Sequence, residues 1–248
     1  MQIRLSNVII GILMIASSTV FHVAKAGLID PESVLLDEAG ATLLEGWLGK
    51  GDLDWDSIWY GTTGATSEDW HSGVDGIEHT VSIYSITSFG VDYLVGGYSA
   101  KAWVSKGGFV YTEEGETDEN FLFNLTSGLY FKTDTPQDQC EKTQTFDRFD
   151  HFATFGCGSD LKGGTYVLGK PGDAYEGFYS SGGGGSYLED GNIVTGKGSP
   201  ETAARVNSLE TFSFRTAQFV PPTSASAPST IALFALGFLG LIACRFKK

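Results

Sequence analysis

Residues 80–86 (TVSIYSI) alternate polar and apolar positions, the period of a half-buried strand. Shorter apolar runs at 93–95, 121–125 and 130–131 predict further strands, and 209–214 alternates again as a last one. Upstream the period is different. Leu35, Leu36, Leu43, Leu44, Trp47 and Leu48 recur at helical spacing. Asp30 as N-cap and Pro31 at the first helical position predict the start of this segment. Gly40 is expected to divide it into two short helices, and Gly49 with Gly51 to end it. From Trp55 onward the pattern turns to β. Most of the 33 glycines lie between the strand runs, where turns and bulges need positive φ. The predicted fold class is α+β, mainly β: an antiparallel β-sandwich flanked by short helices. Two segments read as long exposed connections, the acidic 107–120 and the glycine-rich 180–186. The glycines at 182–185 are not followed by the Lys-Ser or Lys-Thr pair of a phosphate loop.

The two ends follow other rules. Arg4, the apolar core at 8–15 and the small-x-small site of Ala24 and Ala26 predict a secretory signal over 1–26. An N-terminal membrane anchor is the alternative; cleavage would leave Gly27 first. At the other end, the Pro/Ser/Ala-rich linker 219–228 leads into 229–248, an uncharged apolar run closed by Arg245, Lys247 and Lys248. Its apolar part is about 15 residues, roughly 22 Å of helix, against about 20 residues for a stable span. A transient transmembrane handle with cytoplasmic cations is the expectation. Between the ends, 27–218 is long enough for one domain with a substantial core.

Charge narrows the function. All 30 acids but only 11 of the 16 Lys and Arg residues fall between Gly27 and Pro228, a net −19 for the body. That field repels nucleic acid and anionic lipid, so nucleic acid is excluded as a partner. Cys140 and Cys157 enclose 16 residues. In an exported chain they are expected to form a disulfide, contributing about 3 kcal/mol, with two free thiols as the alternative. Four dispersed histidines offer no metal-site spacing, and no cofactor motif is present. His71, near Glu68, Asp69 and Ser72, could be drawn into a triad, but no Gly-x-Ser-x-Gly elbow accompanies it. A strand-edge histidine bonded to the backbone is the expectation. Asn124 and Thr126 fit a glycosylation acceptor pattern, set within a strand.

Read in order, several stretches resemble the TLDc domain of the eukaryotic oxidation-resistance proteins. They begin with Ser57, Trp59 and Gly61, then Trp70 and His71, then the 80–86 strand, then Gly96, Gly97, Tyr98 and Trp103. Residues 118–126 follow, then Phe155, Gly156, Gly158 and Asp160, and Glu210 stands in the closing strand. The resemblance spans about residues 33–214. Insertions at 133–152 and after Tyr175 depart from it. It implies a noncatalytic binding or protective module. The vacuolar proton pump contacted by eukaryotic members is not a partner that an exported bacterial protein would meet.

The tail is similar to a PEP-CTERM sorting signal, although Ala227 and Pro228 stand where Glu-Pro is usual, followed by Ser229 and the basic end. This implies an exosortase-like partner in a Gram-negative bacterium, transient membrane insertion and delivery to the periplasm, envelope or surface. An ordinary tail anchor is the alternative. The combined expectation is an exported binding module, not an enzyme, meeting exopolysaccharide or an envelope protein. A secreted lectin-type sandwich is the runner-up, and a hydrolase or thiol antioxidant comes third.

Overall fold

The structure, a computed structural model, describes residues 27–113, 119–132, 142–157, 160–169, 177–181, 187, 191–194, 196–197 and 201–217. The signal, the linker and the sorting segment lie outside these residues. Among the described residues no helix is long and apolar enough to cross a membrane.

The described chain is mainly antiparallel β with two short helices. In order, it runs α1 (Glu38–Leu48), β1 (Leu53–Thr62), α2 (Ser67–Val74), β2 (Thr80–Ser88), β3 (Val91–Ser99), β4 (Phe109–Tyr111), β5 (Phe121–Asn124) and β6 (Leu129–Phe131). Then follow β7 (Thr143–Phe146), β8 (Thr154–Phe155), β9 (Leu161–Lys162), β10 (Gly164–Thr165), β11 (Val167–Leu168), β12 (Gly177–Ser181), β13 (Gly191–Asn192), β14 (Gly196–Lys197) and β15 (Glu201–Thr216).

The N-terminal helix corrects two expectations. Asp30 is not its cap: its carboxylate closes a local turn by accepting from the Glu32 N–H at 2.9 Å. The N-cap is Asp37, which accepts from Gly40 N at 2.8 Å. Gly40 does not divide the segment; it is buried inside one continuous helix. Leu36 and Leu125 carbons would lie 3.2 and 3.3 Å from any Cβ there, so a small residue suits the packing. Gly49, at φ 65, ends the helix as expected. The second helix, α2, falls where β structure was expected. Thr66 caps it by accepting from Asp69 N at 3.2 Å, and Trp70, His71 and Val74 form its buried face.

One long strand organises the sheet. Along one edge β15 pairs with β2 from Arg205 to Ser213. Along the other it pairs first with β12, over Glu201 to Arg205, and then with β1, over Ser208 to Thr216. A bulge between Val206 and Ser208 marks the changeover. Such a bulge lets one strand serve two layers. The β1, β15, β2, β3, β5, β6 part forms one layer, and β12, β9, β8, β7, β4 continue the same ladder as a second. The second lies back over the first: the Phe155 ring lies against Gly97, and the Tyr84 hydroxyl donates to Ala153 O at 2.7 Å. The result is sandwich-like.

Because the middle strands are buried on both faces, they serve two cores. In β2, Val81 and Ile83 face α1, whereas Tyr84 and Ile86 face the other layer. Ala41 and Leu44 of α1 pack with Trp55, Phe121, Phe123 and Phe212 in the first core. Trp70, Trp103, Phe152 and Phe155 fill the second.

Candidate functional site

His71 lies on α2, not at a strand edge, because residues 67–74 form a helix. Its expected bond to backbone is present: Nε2 lies 2.7 Å from Arg148 O. Nδ1 lies 2.6 Å from Asp75 Oδ1. A carbonyl only accepts, so Nε2 carries a proton and cannot serve as a base in this arrangement. Asp75 Oδ2 in turn accepts from Ser105, from N at 2.9 Å and from Oγ. The order is therefore Ser105, Asp75, His71, Arg148 carbonyl. The serine bonds the carboxylate, not the imidazole, so the histidine does not activate it.

Next to this chain sits Asp147, 1% exposed. Oδ2 accepts from Val104 N at 3.2 Å, while Oδ1 has no hydrogen-bond partner among the described residues. Burial pushes its pKa up to about 6, against the opposing influence of Thr145, Val104 and His71; Asp75 adds to the rise. Asp147 N donates to Gly108 O at 2.9 Å. Gly107 approaches so closely that a Cβ would collide with the Asp147 carbonyl.

These groups hold a turn between β7 and β8 that carries a second polar chain. Arg148 grips buried Asp150 as a fork, Nε to Oδ1 and Nη2 to Oδ2, both at 3.1 Å. His151 Nδ1 lies 2.9 Å from Asp150 Oδ1. Burial opposes the charge on Asp150, but the hydrogen bond from His151 and the Arg148 guanidinium leave its pKa lowered. Burial lowers the His151 pKa, outweighing the Asp150 bond, and Lys162 acts in the same sense. A neutral His151 beside an ionised Asp150 donates from Nδ1 and keeps its lone pair on Nε2. Among the described residues no hydrogen bond occupies Nε2.

Around this pair stand aromatic side chains. The His151 ring meets Phe146 edge-on at 5.0 Å, and the Arg148 guanidinium lies 5.8 Å from the Phe146 centroid. Phe149 and Tyr166 are 55% and 56% exposed, with ring centroids 6.1 Å apart at 69°. Tyr166 holds φ 61, an uncommon conformation for a bulky residue. Its N–H donates to Asp150 O at 2.7 Å and its carbonyl accepts from Ser67 N at 3.0 Å, which fixes it there.

The residues singled out by the TLDc resemblance divide between the two faces of the central layer. On one side the Phe155 ring occupies the space above Gly97, where a Cβ would come within 2.7 Å of it. Phe155 meets Trp103 edge-on at 5.4 Å, and Trp103 Nε1 donates to Thr80 Oγ1 at 2.8 Å. Trp103 in turn meets Trp70, the neighbour of His71, at 5.1 Å. On the other side Gly96 makes room for Phe123, and Tyr98 OH lies 2.7 Å from His79 Nδ1. Burial, with the Glu119 charge, raises the Tyr98 pKa. Glu210, fully buried, accepts from Val34 N at 3.0 Å, Leu35 N at 2.7 Å and Ser57 Oγ at 2.7 Å. Gly156, at φ 75, lies against the Asp160 carboxylate, whose Oδ2 accepts from Tyr187 N at 2.8 Å. Each of these contacts serves the fold.

Cys157 lies in the turn after β8. Cys140 and Gly158 lie outside the described residues, as do Ala24, Ala26, Pro228, Ser229, Arg245, Lys247 and Lys248. Asn124 is buried, and its amide donates to Ile193 O at 3.0 Å, so the folded chain does not offer it for glycosylation. Among the described residues, no cluster of His, Cys, Asp and Glu could hold a metal ion. Residues 146–151 and Tyr166 carry no periodic signal, and sequence reading passed over them. The adjacent acid and histidine at Asp150 and His151, four and five positions after the aromatic Phe146, were the available clue. No protein-family model matches this chain, and no characterised protein similar to it is found.

Proposed function

We propose that this chain is an exported, noncatalytic binding module with a TLDc-like body, brought to the bacterial envelope by a cleavable signal and a removable sorting helix. The observation that carries the noncatalytic part is the linear order Ser105, Asp75, His71, Arg148 carbonyl. It spends the hydroxyl on a carboxylate and an imidazole nitrogen on the backbone. The TLDc-like part is supported by Glu210 of the closing strand, which joins the approach to α1 to the sheet through three donors. The export part rests on the two ends and on the −19 body. Cys140 is the proposed disulfide partner of Cys157, in keeping with export.

Mass spectrometry of the full-length gene product, expressed in a Gram-negative host carrying an exosortase, tests the address. The expected product starts at Gly27, lacks the basic tail and contains a Cys140–Cys157 crosslink. An intact C-terminus at Lys248 would overturn the sorting step, and a Cys140 thiol that alkylates without reduction would overturn the pairing.

A further inference from the structure

We infer that the turn at 146–151, with Tyr166, is a binding site for a neutral saccharide. The inference deepens the binding-module reading and rests on it. Phe149 and Tyr166 present two half-exposed rings at 69°, a corner with one wall for the C–H face of a sugar ring and one for its edge. The negative face of an aromatic ring attracts such polarised C–H groups and stays compatible with water. The same turn carries one fixed donor and one acceptor, both packed on the Phe146 ring. The Arg148 guanidinium is held by its fork to Asp150, which leaves its other N–H groups free to donate on a side chain 45% exposed. The neutral His151 carries its acceptor lone pair on Nε2. Aromatic faces flanked by a rigid donor and acceptor match a molecule whose apolar C–H faces alternate with hydroxyls.

The surroundings select against other occupants. The body at −19 repels anionic polymers. Arg148 is already balanced by Asp150, and Asp147 stands beside it, so the turn itself offers no net positive charge to attract them. A peptide cannot add as a strand at Tyr166, because its N–H and carbonyl are bonded to Asp150 and Ser67. Preorganisation supports binding too. His71 and the His151 N–H both bond Arg148 O, and Asp150 O accepts from Tyr166, so the corner does not have to be ordered on binding.

The test is an array of neutral gluco-, galacto- and manno-oligosaccharides probed with the purified full-length chain, followed by calorimetry with the best-bound sugar. The expected result is saturable binding that weakens at least tenfold in Phe149→Ala/Tyr166→Ala. Both side chains are exposed, so the thermal midpoint should stay unchanged. Absence of binding to every neutral sugar would overturn the inference, as would binding that the double variant retains. Binding confined to anionic polysaccharides or to peptides would overturn it as well. The export reading fails separately: a chain that binds sugar but keeps Lys248 removes the sorting step alone, whereas a processed chain that binds no sugar removes only this site.

Discussion

The two faces of the β2–β3–β5 layer bury polar groups in different ways. Under α1 the buried carboxylate of Glu210 is spent on three donors, and apolar side chains fill the rest of the core. On the other face the buried acids are unequal. Asp150 is paired with both a cation and a histidine, whereas Asp147 Oδ1 faces the interior with no hydrogen bond among the described residues. A fully paired carboxylate stabilises its surroundings, while an incompletely paired one costs free energy whenever it is charged. The second face also carries the turn that displays Phe149 and Tyr166 beside the His151 imidazole. Function tends to sit where local rules are broken, and here both kinds of departure meet at one turn.

Variants that remove a buried partner should show this contrast most strongly. Glu210→Ala leaves two backbone N–H groups and the Ser57 hydroxyl without their acceptor, at about 1–3 kcal/mol for each buried unsatisfied group. A loss of several kcal/mol in urea unfolding is expected, and a loss below 1 kcal/mol would show that water replaces the carboxylate. On the opposite face, Phe155→Ala should lose about 3–5 kcal/mol.

Asp147 should behave in the opposite sense. Its folded pKa of about 6 lies above the ordinary 3.8, so the folded state binds the proton more tightly than the unfolded one. The group therefore costs nothing below about pH 4, and its penalty grows as pH rises from there to about 6. At 1.36 kcal/mol per unit the full penalty is about 3 kcal/mol. Asp147→Asn should be more stable than the parent at pH 7, with the difference disappearing near pH 4. Equal stability of the two at pH 7 would show that Asp147 is satisfied in solution.

A smaller effect tests the packing between layers. Gly97→Ala places a methyl group 2.7 Å from Phe155 ring atoms and should cost about 1–3 kcal/mol by overpacking. Much of that should be recovered when Phe155→Leu is added, since neighbours that share a space are not additive. Simple additivity in this cycle would place the two residues apart. Smallest of all, Phe149→Ala and Tyr166→Ala should each alter stability by no more than about 0.5 kcal/mol, as expected of exposed side chains. A larger loss would make them packing residues.

Legibility in the sequence followed the length of the periodic signal. The strand expected at 80–86 is β2, and those expected at 93–95, 121–125, 130–131 and 209–214 lie within or over β3, β5, β6 and β15. Apart from the two-residue run at 130–131, each alternates or runs apolar for long enough to declare a buried face. The helix end at Gly49 was legible because a left-handed cap favours glycine. Its start was misplaced because an Asp with Pro after it also makes a local turn, which is what Asp30 does. The α2 helix was missed because eight residues leave little periodicity, although Thr66 followed three residues later by Asp69 is a capping signal. Strands β8 to β11 have two residues each, and only long-range pairing makes them strands.

Sequence alone therefore determined the mainly β class, the acidic body, and which faces of the longer strands must be apolar. These depend on composition and on neighbours within a few positions of each other. Tertiary structure decided that β15 joins both layers through its bulge and that His71 on α2 braces Arg148 on a distant turn. It also set the pairing of Asp150 with Arg148 and His151, and brought Phe149 beside Tyr166. These arrangements depend on burial and on contacts between segments that no local pattern encodes, because a side chain acquires its charge state and its neighbours only after the layers close.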